Sequence, residues 1–254
     1  MSAAFDANAL ARLFVEARAH RAKLDTLPQD ARPANAAEAC AAQEATLRLL
    51  QADIGGWKVG AKSHDGPIQG APLPADGVHA SGAHLSMNAF GKAGLELEVA
   101  FMLGRRFEPG SGPYSDEEVL AAVESVHASI EVVASRFAAW PDVEKIWQLA
   151  DLQNHGALIV GEGVPYDAAF PFMSPAMTFT FDGAPLFRGD PANPAGDPRR
   201  LLAWTVNHCV SRGLAVERGT VLTAGSYTGI AFPDAPGQAV GSIEGLPAVE
   251  LHFA

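Results

Sequence analysis

The sequence predicts an α+β fold in which a β-rich core follows a short helical region. Apolar residues recur with the spacing of an amphipathic helix over residues 6–24, and again over residues 34–52. From Gly55 onward, glycine, proline and β-forming residues dominate, and helical periodicity becomes rare. We therefore predict a helical N-terminal region, residues 1–54, and a β-rich core, residues 55–254.

The composition limits the kinds of partner that the protein binds. The chain has 254 residues, enough for a substantial core, and a formal net charge of −11 at pH 7. Nucleic-acid backbones and anionic membrane surfaces both attract cationic proteins, so this charge argues against either partner. A small anionic substrate stays compatible with it, because one buried cation or one lysine dominates the local field.

The start of the chain and its cysteines predict a cytoplasmic protein. Residues 1–20 contain acidic side chains and lack the apolar centre of a signal peptide, and no apolar run reaches the length of a membrane span. The two cysteines, Cys40 and Cys209, form no CxxC motif, which disfavours a thiolate zinc site and fits a reducing compartment.

The first half of the core reads as strand, loop and helix in turn. Residues 56–60 form a short predicted strand between glycines. Residues 63–94 are rich in proline and glycine, which predicts a long loop. The sequence Ser-Asp-Glu-Glu at residues 115–118 is a capping box, which predicts a helix that runs through Val123.

The second half of the core consists mostly of predicted strands. Residues 148–154 fit either a helix or a loop, and residues 156–161 form a strand. The strand over residues 177–181 ends in Asp182-Gly183, a hairpin signal, and the strongest helical pattern covers residues 198–212. Further strands are predicted over residues 219–225, 239–243 and 248–253.

The most informative stretch is a predicted strand over residues 95–103, with a glycine on either side. Because side chains alternate along a strand, Glu96 and Glu98 point to one face, with their Cα atoms about 7 Å apart. Two carboxylates in an apolar segment repel each other and lose hydration, and a hard divalent cation such as Mg²⁺ or Mn²⁺ removes both penalties. The alternative is an edge strand whose acidic face is wet.

A second predicted strand carries another carboxylate on its polar face. Residues 126–133 alternate with period two, so His127, Ser129 and Glu131 share the face opposite the aliphatic residues. The alternative for Glu131 is an ordinary exposed carboxylate of a strand. His127 shares the face of Glu131 and is therefore either a contact of the site or, as we expect, a hydrogen-bonded interior histidine.

In this order and spacing, five segments resemble the fumarylacetoacetate hydrolase superfamily, and within it the branch of 2-keto-4-pentenoate hydratases and oxalocrotonate decarboxylases. The segments are residues 56–60, 96–101, 130–136, 222–225 and 243–246. The resemblance extends over nearly the whole chain. It implies a mixed β-roll core, like the C-terminal domain of fumarylacetoacetase, with the helical region as an N-terminal appendage.

The resemblance also implies a divalent metal, Mg²⁺ or Mn²⁺, bound by Glu96, Glu98 and Glu131. Lys58 matches a lysine that lies near the substrate, and a partly buried lysine with a lowered pKa is suited to proton transfer. Asp76 matches an acid of a mobile loop that assists the proton transfer. The alternative for Lys58 is a solvated surface lysine without a catalytic role, and the alternative for Asp76 is a surface aspartate without one.

Candidates for substrate binding are Arg136, Asp151, Asn154, Thr223 and Ser226. Arg136 has two predicted partners, a substrate carboxylate or a core acid such as Asp142. Asp151 and Asn154 fall where the hydratases have an Ala-Asp-Asn run, and they are otherwise structural turn residues. The loop from Thr223 offers hydroxyl and N–H groups that suit a carboxylate.

These implications predict a lyase: a metal-dependent hydratase that adds water to a 2-hydroxy-2,4-dienoate of the 2-oxopent-4-enoate type in aromatic-compound catabolism. The product would be a 4-hydroxy-2-oxo acid. A 4-oxalocrotonate-type decarboxylase and an acylpyruvate hydrolase are alternatives, because all three reactions share an enolate. A non-catalytic oxo-acid-binding protein or partner subunit is the non-enzymatic alternative. We expect a homo-oligomer, a dimer or larger, with a decarboxylase or hydratase as a further candidate partner.

Overall fold

Two β-sheets form the centre of the computed structural model, which describes residues 4–254. The helices are α1 (Ala7–His20), α2 (Ala36–Leu50), α3 (Asp116–Leu120), α4 (Lys145–Ala150) and α5 (Arg200–Ser211). The strands are β1 (Ile54–Ala61), β2 (Ile68–Pro74), β3 (Val78–Ala80), β4 (Ala83–Leu85), β5 (Gly94–Leu103), β6 (Val123–Val133), β7 (His155–Pro165), β8 (Met177–Phe181), β9 (Ala184–Pro185), β10 (Val221–Ser226), β11 (Gly237–Ile243) and β12 (Val249–Phe253). None of the described helices is long and apolar enough to cross a membrane.

Both sheets mix parallel and antiparallel pairs. In the described part of the chain, the larger sheet has the order β2-β1-β10-β5-β6-β7-β3, and the smaller sheet has the order β4-β12-β11-β8-β9. β1 pairs in parallel with β10, β3 with β7 and β4 with β12. The remaining neighbours are antiparallel. This arrangement confirms the predicted α+β fold with a mixed β-roll core.

One face of β5 lies in the main hydrophobic core, between the two sheets. Leu95, Leu97 and Val99 are fully buried there, in a cluster that includes Ala239 of the smaller sheet. Burial of each aliphatic side chain of this size contributes about 1.5–3 kcal/mol. The sheets approach so closely that a Cβ added at Gly241 would lie 2.4 Å from Leu97 Cδ1. This packing fixes which face of β5 is left for the glutamates.

The N-terminal helices share a second hydrophobic cluster with the rest of the protein. The Asp6 carboxylate caps α1 by accepting hydrogen bonds from the N–H groups of Asn8 (2.9 Å) and Ala9 (3.1 Å). Phe14 of α1 packs edge-on against Phe137, with ring centroids 5.9 Å apart. These contacts attach the helical region to the segment that follows β6.

The division into residues 1–54 and 55–254 stays a prediction. Residues 1–3 of the first part lie outside the described residues. Within the described part, buried side chains of α1 and α2 pack with Leu149 and Ala150 of α4, so the helical region and the core share one hydrophobic cluster.

The prediction of a continuous loop over residues 63–94 is wrong, because this segment contains β2, β3 and β4. All three strands lie at the edges of their sheets. An edge strand tolerates proline, since its outward N–H positions have no ladder partner to lose. β2 contains Pro72 and Pro74, and β3 and β4 have only three residues each. The prolines of this segment are therefore a feature of edge strands and not of a continuous loop.

The helix predicted from the capping box is shorter than expected. The box itself is present, since the Ser115 N–H donates to Glu118 Oε2 (2.8 Å) and the Glu118 N–H donates to Ser115 Oγ (3.2 Å). α3 nevertheless ends at Leu120, and Val123 already pairs with Leu103 of β5. The spacing of the valines fits a helix, but pairing in the large sheet determines their structure.

Candidate metal centre

The pairing of β5 with β6 brings three carboxylates together. In the antiparallel register, Glu96 lies opposite Glu131, and Glu98 lies opposite Ser129. Paired residues share a face, so all four side chains leave the sheet on the same side. One carboxylate oxygen of each glutamate lies within 4.8 Å of those of the other two. The three predicted ligands thus form one group, which we call the glutamate cluster.

The glutamate cluster is buried and only partly hydrogen-bonded. Glu98 and Glu131 are 3% and 1% exposed. Glu98 accepts hydrogen bonds from the Thr223 hydroxyl and from the Gly225 N–H (3.1 Å). Glu131 Oε1 accepts a hydrogen bond from Lys58 Nζ, whereas Oε2 is buried with no hydrogen-bond partner. Burial of a carboxylate oxygen without a partner costs free energy, and a bound cation would remove that cost. Glu131 Oε2 is therefore a candidate ligand atom for a cation.

Burial and mutual repulsion disfavour ionisation of the cluster. Burial, followed by repulsion from Glu131, raises the pKa of Glu96 to about 7. Burial and the charges of the other two glutamates raise the pKa of Glu98 to about 8. The pKa of Glu131 is also raised, again mainly by burial. A hard divalent cation with oxygen ligands would favour the ionised carboxylates, so these residues fit Mg²⁺, Mn²⁺ or Ca²⁺.

Lys58 reaches the cluster from β1. Its Nζ donates hydrogen bonds to Glu131 and to the carbonyl oxygen of Gln153 (3.0 Å). Burial by itself lowers the pKa of Lys58, but the three acidic neighbours, Glu131 foremost, raise it by more. The prediction of a lowered pKa for Lys58 is therefore wrong, because the nearby negative charge outweighs desolvation.

A left-handed turn holds the Gln153 carbonyl against Lys58. Three consecutive residues, Leu152, Gln153 and Asn154, have φ angles of 48°, 51° and 59°. Each such residue costs about 1–2 kcal/mol relative to a right-handed conformation. Burial of Leu152 and a hydrogen bond from the Ala134 N–H to the Asn154 carbonyl (2.7 Å) hold the turn in place. Asn154 is the one signal for this turn in the sequence, since asparagine adopts the left-handed conformation more readily than leucine or glutamine.

Arg136 and Asp151, two predicted substrate ligands, form a buried ion pair with each other. Arg136 Nε lies 2.5 Å from Asp151 Oδ1, and the Arg136 backbone N–H donates to Asp151 Oδ2 (2.9 Å). The residues are 6% and 1% exposed. Arg136 therefore pairs with Asp151 and not with Asp142. A part in substrate binding stays a prediction for both.

Two of the other predicted substrate ligands, Thr223 and Ser226, lie at the cluster, and Asn154 follows Gln153, whose carbonyl accepts from Lys58. Thr223 donates its hydroxyl hydrogen to Glu98, and Ser226 lies opposite Glu98 in the pairing of β10 with β5. Asn154 Nδ2 donates to Gln148 Oε1 (3.1 Å), while Asn154 Oδ1 is buried without a partner. Their contact with a substrate stays a prediction.

Asp76, the predicted acid, is exposed on the short turn Ala75–Gly77. It lines a cavity of about 440 Å³ together with Arg18, His79 and His155. Among the described residues, no hydrogen bond or ion pair joins Asp76 to Lys58 or to the glutamate cluster. Its catalytic role stays a prediction.

Sequence reasoning missed His155 and Arg18. His155 is 1% exposed, and both of its ring nitrogens lack a hydrogen-bond partner. Burial lowers the pKa of His155 well below its usual value, and the charges of Arg18 and Lys58 lower it further. The only signal in the sequence was its position directly after Asn154. His127, by contrast, is buried and hydrogen-bonded at both ring nitrogens, which confirms the interior histidine that was predicted.

We expect Mg²⁺ to stabilise the protein, and to do so more strongly as the pH rises. Because the pKa values of Glu96 and Glu98 are raised on folding, the folded chain binds more protons than the unfolded chain above pH 4.5. Without Mg²⁺, the free energy of unfolding should therefore fall as the pH rises from 4.5 toward about 8. A bound cation needs ionised carboxylates and opposes this fall. Thermal unfolding at about pH 6 and about pH 8, with and without excess MgCl₂, measures both effects.

Glu98→Gln is the matched variant for this measurement. It keeps the shape of the side chain and an acceptor for Thr223, so we expect it to fold without Mg²⁺ at least as stably as the wild type. The Mg²⁺-dependent rise in melting temperature should be lost, whereas Glu162→Gln, at an exposed position of β7, should retain it. An equal rise in Glu98→Gln and in the wild type would contradict the ligand assignment.

Comparison with curated proteins gives several hydratases and a 4-oxalocrotonate decarboxylase, although no family model matches the chain. The chain is 28% identical over 160 residues to a 2-keto-4-pentenoate hydratase of Paraburkholderia phymatum, a match that covers 63% of this chain and 60% of that protein. It is 30% identical over 175 residues to a 2-hydroxyhexa-2,4-dienoate hydratase of Comamonas testosteroni, covering 68% and 65%. The matched part thus spans less than two thirds of the length of either relative.

A solved structure has a similar fold over almost its entire length. It is the 4-oxalocrotonate decarboxylase from Pseudomonas putida G7, complexed with magnesium and adipate. The TM-score is 0.84, and the superposition covers 98% of this chain and 97% of that chain, at 19% sequence identity. At 19% identity, the similarity concerns the fold alone. Because 98% of this chain is covered, the similar fold includes the N-terminal helices.

Proposed function

Because this chain belongs to the fumarylacetoacetate hydrolase superfamily, in the branch of 2-keto-4-pentenoate hydratases and oxalocrotonate decarboxylases, we propose that it is a metal-dependent hydratase. The substrate is a 2-hydroxy-2,4-dienoate of the 2-oxopent-4-enoate type, and the product is a 4-hydroxy-2-oxo acid. The observation that carries this proposal is the buried glutamate cluster in hydrogen-bond contact with Lys58. The hydratases among the curated relatives, including the two described above, support the same activity.

We assign Mg²⁺ or Mn²⁺ to Glu96, Glu98 and Glu131. The unpartnered oxygen of Glu131 and the raised pKa values of Glu96 and Glu98 support this assignment. When bound, the ion would polarise the 2-oxo group of the substrate and stabilise the negative charge that develops there.

We assign Lys58 Nζ to hold and move a proton in the reaction, because a cation held by the three glutamates would offset the negative charge that raises its pKa. During ketonisation of the dienol, the C2 hydroxyl loses a proton and C5 gains one. Water then supplies a hydroxyl to C4 and a proton to C3. The contacts of Lys58 with Glu131 and with the Gln153 carbonyl fix the position of its ammonium group for these transfers, in which Asp76 or a water molecule is the second participant.

A small apolar cluster supports this chemistry by excluding water from one side of the site. Leu158 lies opposite Glu131 in the pairing of β6 with β7, and so shares the face of the glutamates. It packs with Leu73, Ala100 and Val221, which are all buried. Low local polarity strengthens the electrostatic interactions of the neighbouring charged groups.

Turnover of 2-hydroxypenta-2,4-dienoate in the presence of Mg²⁺ tests the proposal. We expect loss of the dienol, formation of 4-hydroxy-2-oxopentanoate, and loss of both on addition of a chelator or in Glu98→Gln. The same screen includes 4-oxalocrotonate and an acylpyruvate. Release of CO₂ from the former without hydration of the dienol would favour the decarboxylase, and absence of turnover with Mg²⁺ bound would favour a non-catalytic binding protein.

The decarboxylase is the second candidate, because the solved structure with the TM-score of 0.84 is a 4-oxalocrotonate decarboxylase. We further propose that the protein works as a homo-oligomer in the cytoplasm on a small 2-oxo or 2-hydroxydienoic acid from aromatic-compound catabolism. The two cysteines are free and buried, which supports a reducing compartment.

A further inference from the structure

The strand next to Glu98 is irregular where it passes the glutamate cluster. Thr223 of β10 pairs with Ala100 of β5, and Ser226 pairs with Glu98, so two residues of β10 stand opposite one residue of β5. This is a β-bulge, a feature that changes the direction of side chains and N–H groups and is common beside functional sites. One of its two residues, Gly225, has a φ of 86°, a conformation that residues with a side chain rarely adopt.

The bulge brings two hydrogen-bond donors to the same atom. The Thr223 hydroxyl and the Gly225 N–H (3.1 Å) both donate to Glu98 Oε2. Within the described part of the chain, no group donates a hydrogen bond to Glu98 Oε1. Two donors on one oxygen fix the orientation of a carboxylate and leave the lone pairs of its other oxygen for a further partner.

The Thr223 hydroxyl is itself held in place by a second hydroxyl. Thr223 and Ser129 are both 0% exposed. Ser129 Oγ lies 3.3 Å from Thr223 Oγ1 and 3.4 Å from the carbonyl oxygen of Glu98. Because the single hydroxyl hydrogen of Thr223 goes to Glu98, Thr223 is the acceptor in its contact with Ser129. This contact limits the rotation of the Thr223 hydroxyl.

Asn193, in the loop that precedes α5, holds the bulge from the other side. It is 6% exposed, and its Nδ2 donates to the carbonyl oxygens of Ala224 (2.8 Å) and Gly225 (3.1 Å). Its Oδ1 accepts a hydrogen bond from the Ala195 N–H (3.0 Å), which fixes the amide group in turn. The direction of the Gly225 N–H thus depends on a side chain that forms no hydrogen bond with the glutamates.

The number of oxygens that Glu98 offers bears on the choice of ion. Mg²⁺ demands a near-octahedral set of ligands, whereas Ca²⁺ takes about six to eight oxygens and often binds both oxygens of one carboxylate. A glutamate with one oxygen already occupied by two donors suits the smaller ion.

We propose that Thr223 and the Gly225 N–H keep Glu98 Oε2 occupied, so that Glu98 binds a divalent cation through Oε1 alone. The site then favours Mg²⁺ over Ca²⁺, and Asn193 contributes by holding the bulge. Thr223 is in this respect a positioning residue, which acts on the cation through Glu98. This inference rests on the proposed function, because it requires the cation to lie at the glutamate cluster.

Calorimetric titration of the full chain with MgCl₂ and, separately, with CaCl₂ tests the proposal without turnover. Thr223→Val keeps the shape of the side chain but removes the hydroxyl, and loss of such a partner behind a metal ligand weakens metal affinity by about 10- to 100-fold. We expect a loss in this range for Mg²⁺ and a smaller loss for Ca²⁺, because one lone pair of Glu98 Oε2 then becomes free for the larger ion. Thr223→Ser retains a hydroxyl and should restore the wild-type affinities.

Two further variants serve as a control and as a second test. Thr205→Val removes an equally buried hydroxyl from α5, where it donates to the Leu201 carbonyl (2.8 Å), and it should leave both affinities unchanged. Asn193→Leu removes the donors that hold the bulge, and it should weaken Mg²⁺ binding more than Ca²⁺ binding. If Thr223→Val does not fold, the result for Asn193→Leu decides.

Unchanged Mg²⁺ affinity in Thr223→Val, or equal losses for the two ions, would overturn the proposed role of the bulge and leave the metal site intact. Failure of the wild type to bind either ion would overturn the metal assignment and, with it, the proposed function.

Discussion

Lys58→Met is expected to lower the turnover of 2-hydroxypenta-2,4-dienoate by about 10²- to 10⁴-fold, the range typical of a lost general acid or base. The Lys58 side chain is 12% exposed and reaches both Glu131 and the Gln153 carbonyl. Methionine fills a similar volume but can neither hold nor transfer a proton. Steady-state rates at saturating Mg²⁺ measure the effect.

Two further measurements separate a catalytic effect from a structural one. Lys62→Met removes the same charge from an exposed position in the loop that follows β1, and it should leave the rate within about 2-fold of the wild type. Mg²⁺ should still raise the melting temperature of Lys58→Met, because the three carboxylates remain. A rate reduction below about 10-fold in Lys58→Met would remove Lys58 from the proton-transfer role.

Asp151→Ala is expected to lower the free energy of unfolding by about 3–5 kcal/mol, the cost of leaving one partner of a buried ion pair uncompensated. The Asp151 carboxylate is the acceptor for both the side chain and the backbone N–H of Arg136, and it lies 3.9 Å from Arg18. Without it, the buried Arg136 guanidinium loses its carboxylate partner, and Arg18 keeps only the more distant charge of Asp76. Urea unfolding followed by circular dichroism measures the change.

Asp142→Ala is the matched control, since Asp142 is an exposed aspartate of the same segment and the acid first predicted to pair with Arg136. It should change the free energy of unfolding by no more than about 0.5 kcal/mol. Replacement of both members of the pair by leucine should cost less than Asp151→Ala alone, because the buried charge of Arg136 is then removed together with its partner. Similar effects of Asp151→Ala and Asp142→Ala would show that the ion pair contributes little to stability.

The parts of the site that the sequence predicted are those that depend on local alternation. The period of two along β5 places Glu96 and Glu98 on one face, and the same period along β6 places Glu131 opposite its aliphatic residues. The family resemblance then assigned Glu96, Glu98 and Glu131 to one metal site. The register that sets Glu96 directly opposite Glu131 depends on the pairing of two strands, and no pattern within either strand encodes it.

The parts that the sequence did not predict depend on contacts between distant segments. The pKa of Lys58 follows from acids that lie 38 or more positions away along the chain, and Arg136 meets Asp151 at the end of α4, across a separation of 15 residues. His155 has no motif around it. Its importance appears only when its unpartnered nitrogens are seen inside a cavity. Edge strands rich in proline were mistaken for a loop, since edge position is a property of the whole sheet.

The position of β10 in the larger sheet has a consequence for protein synthesis. β10 lies between β1 and β5, yet it leaves the ribosome long after both of them. Until it is made, a nascent chain has two strands with open edges, which are able to pair with other chains. The donors from Thr223 and Gly225 to Glu98 are also missing at that stage. Chaperone protection of the unfinished chain thus matters most in the interval before β10 emerges.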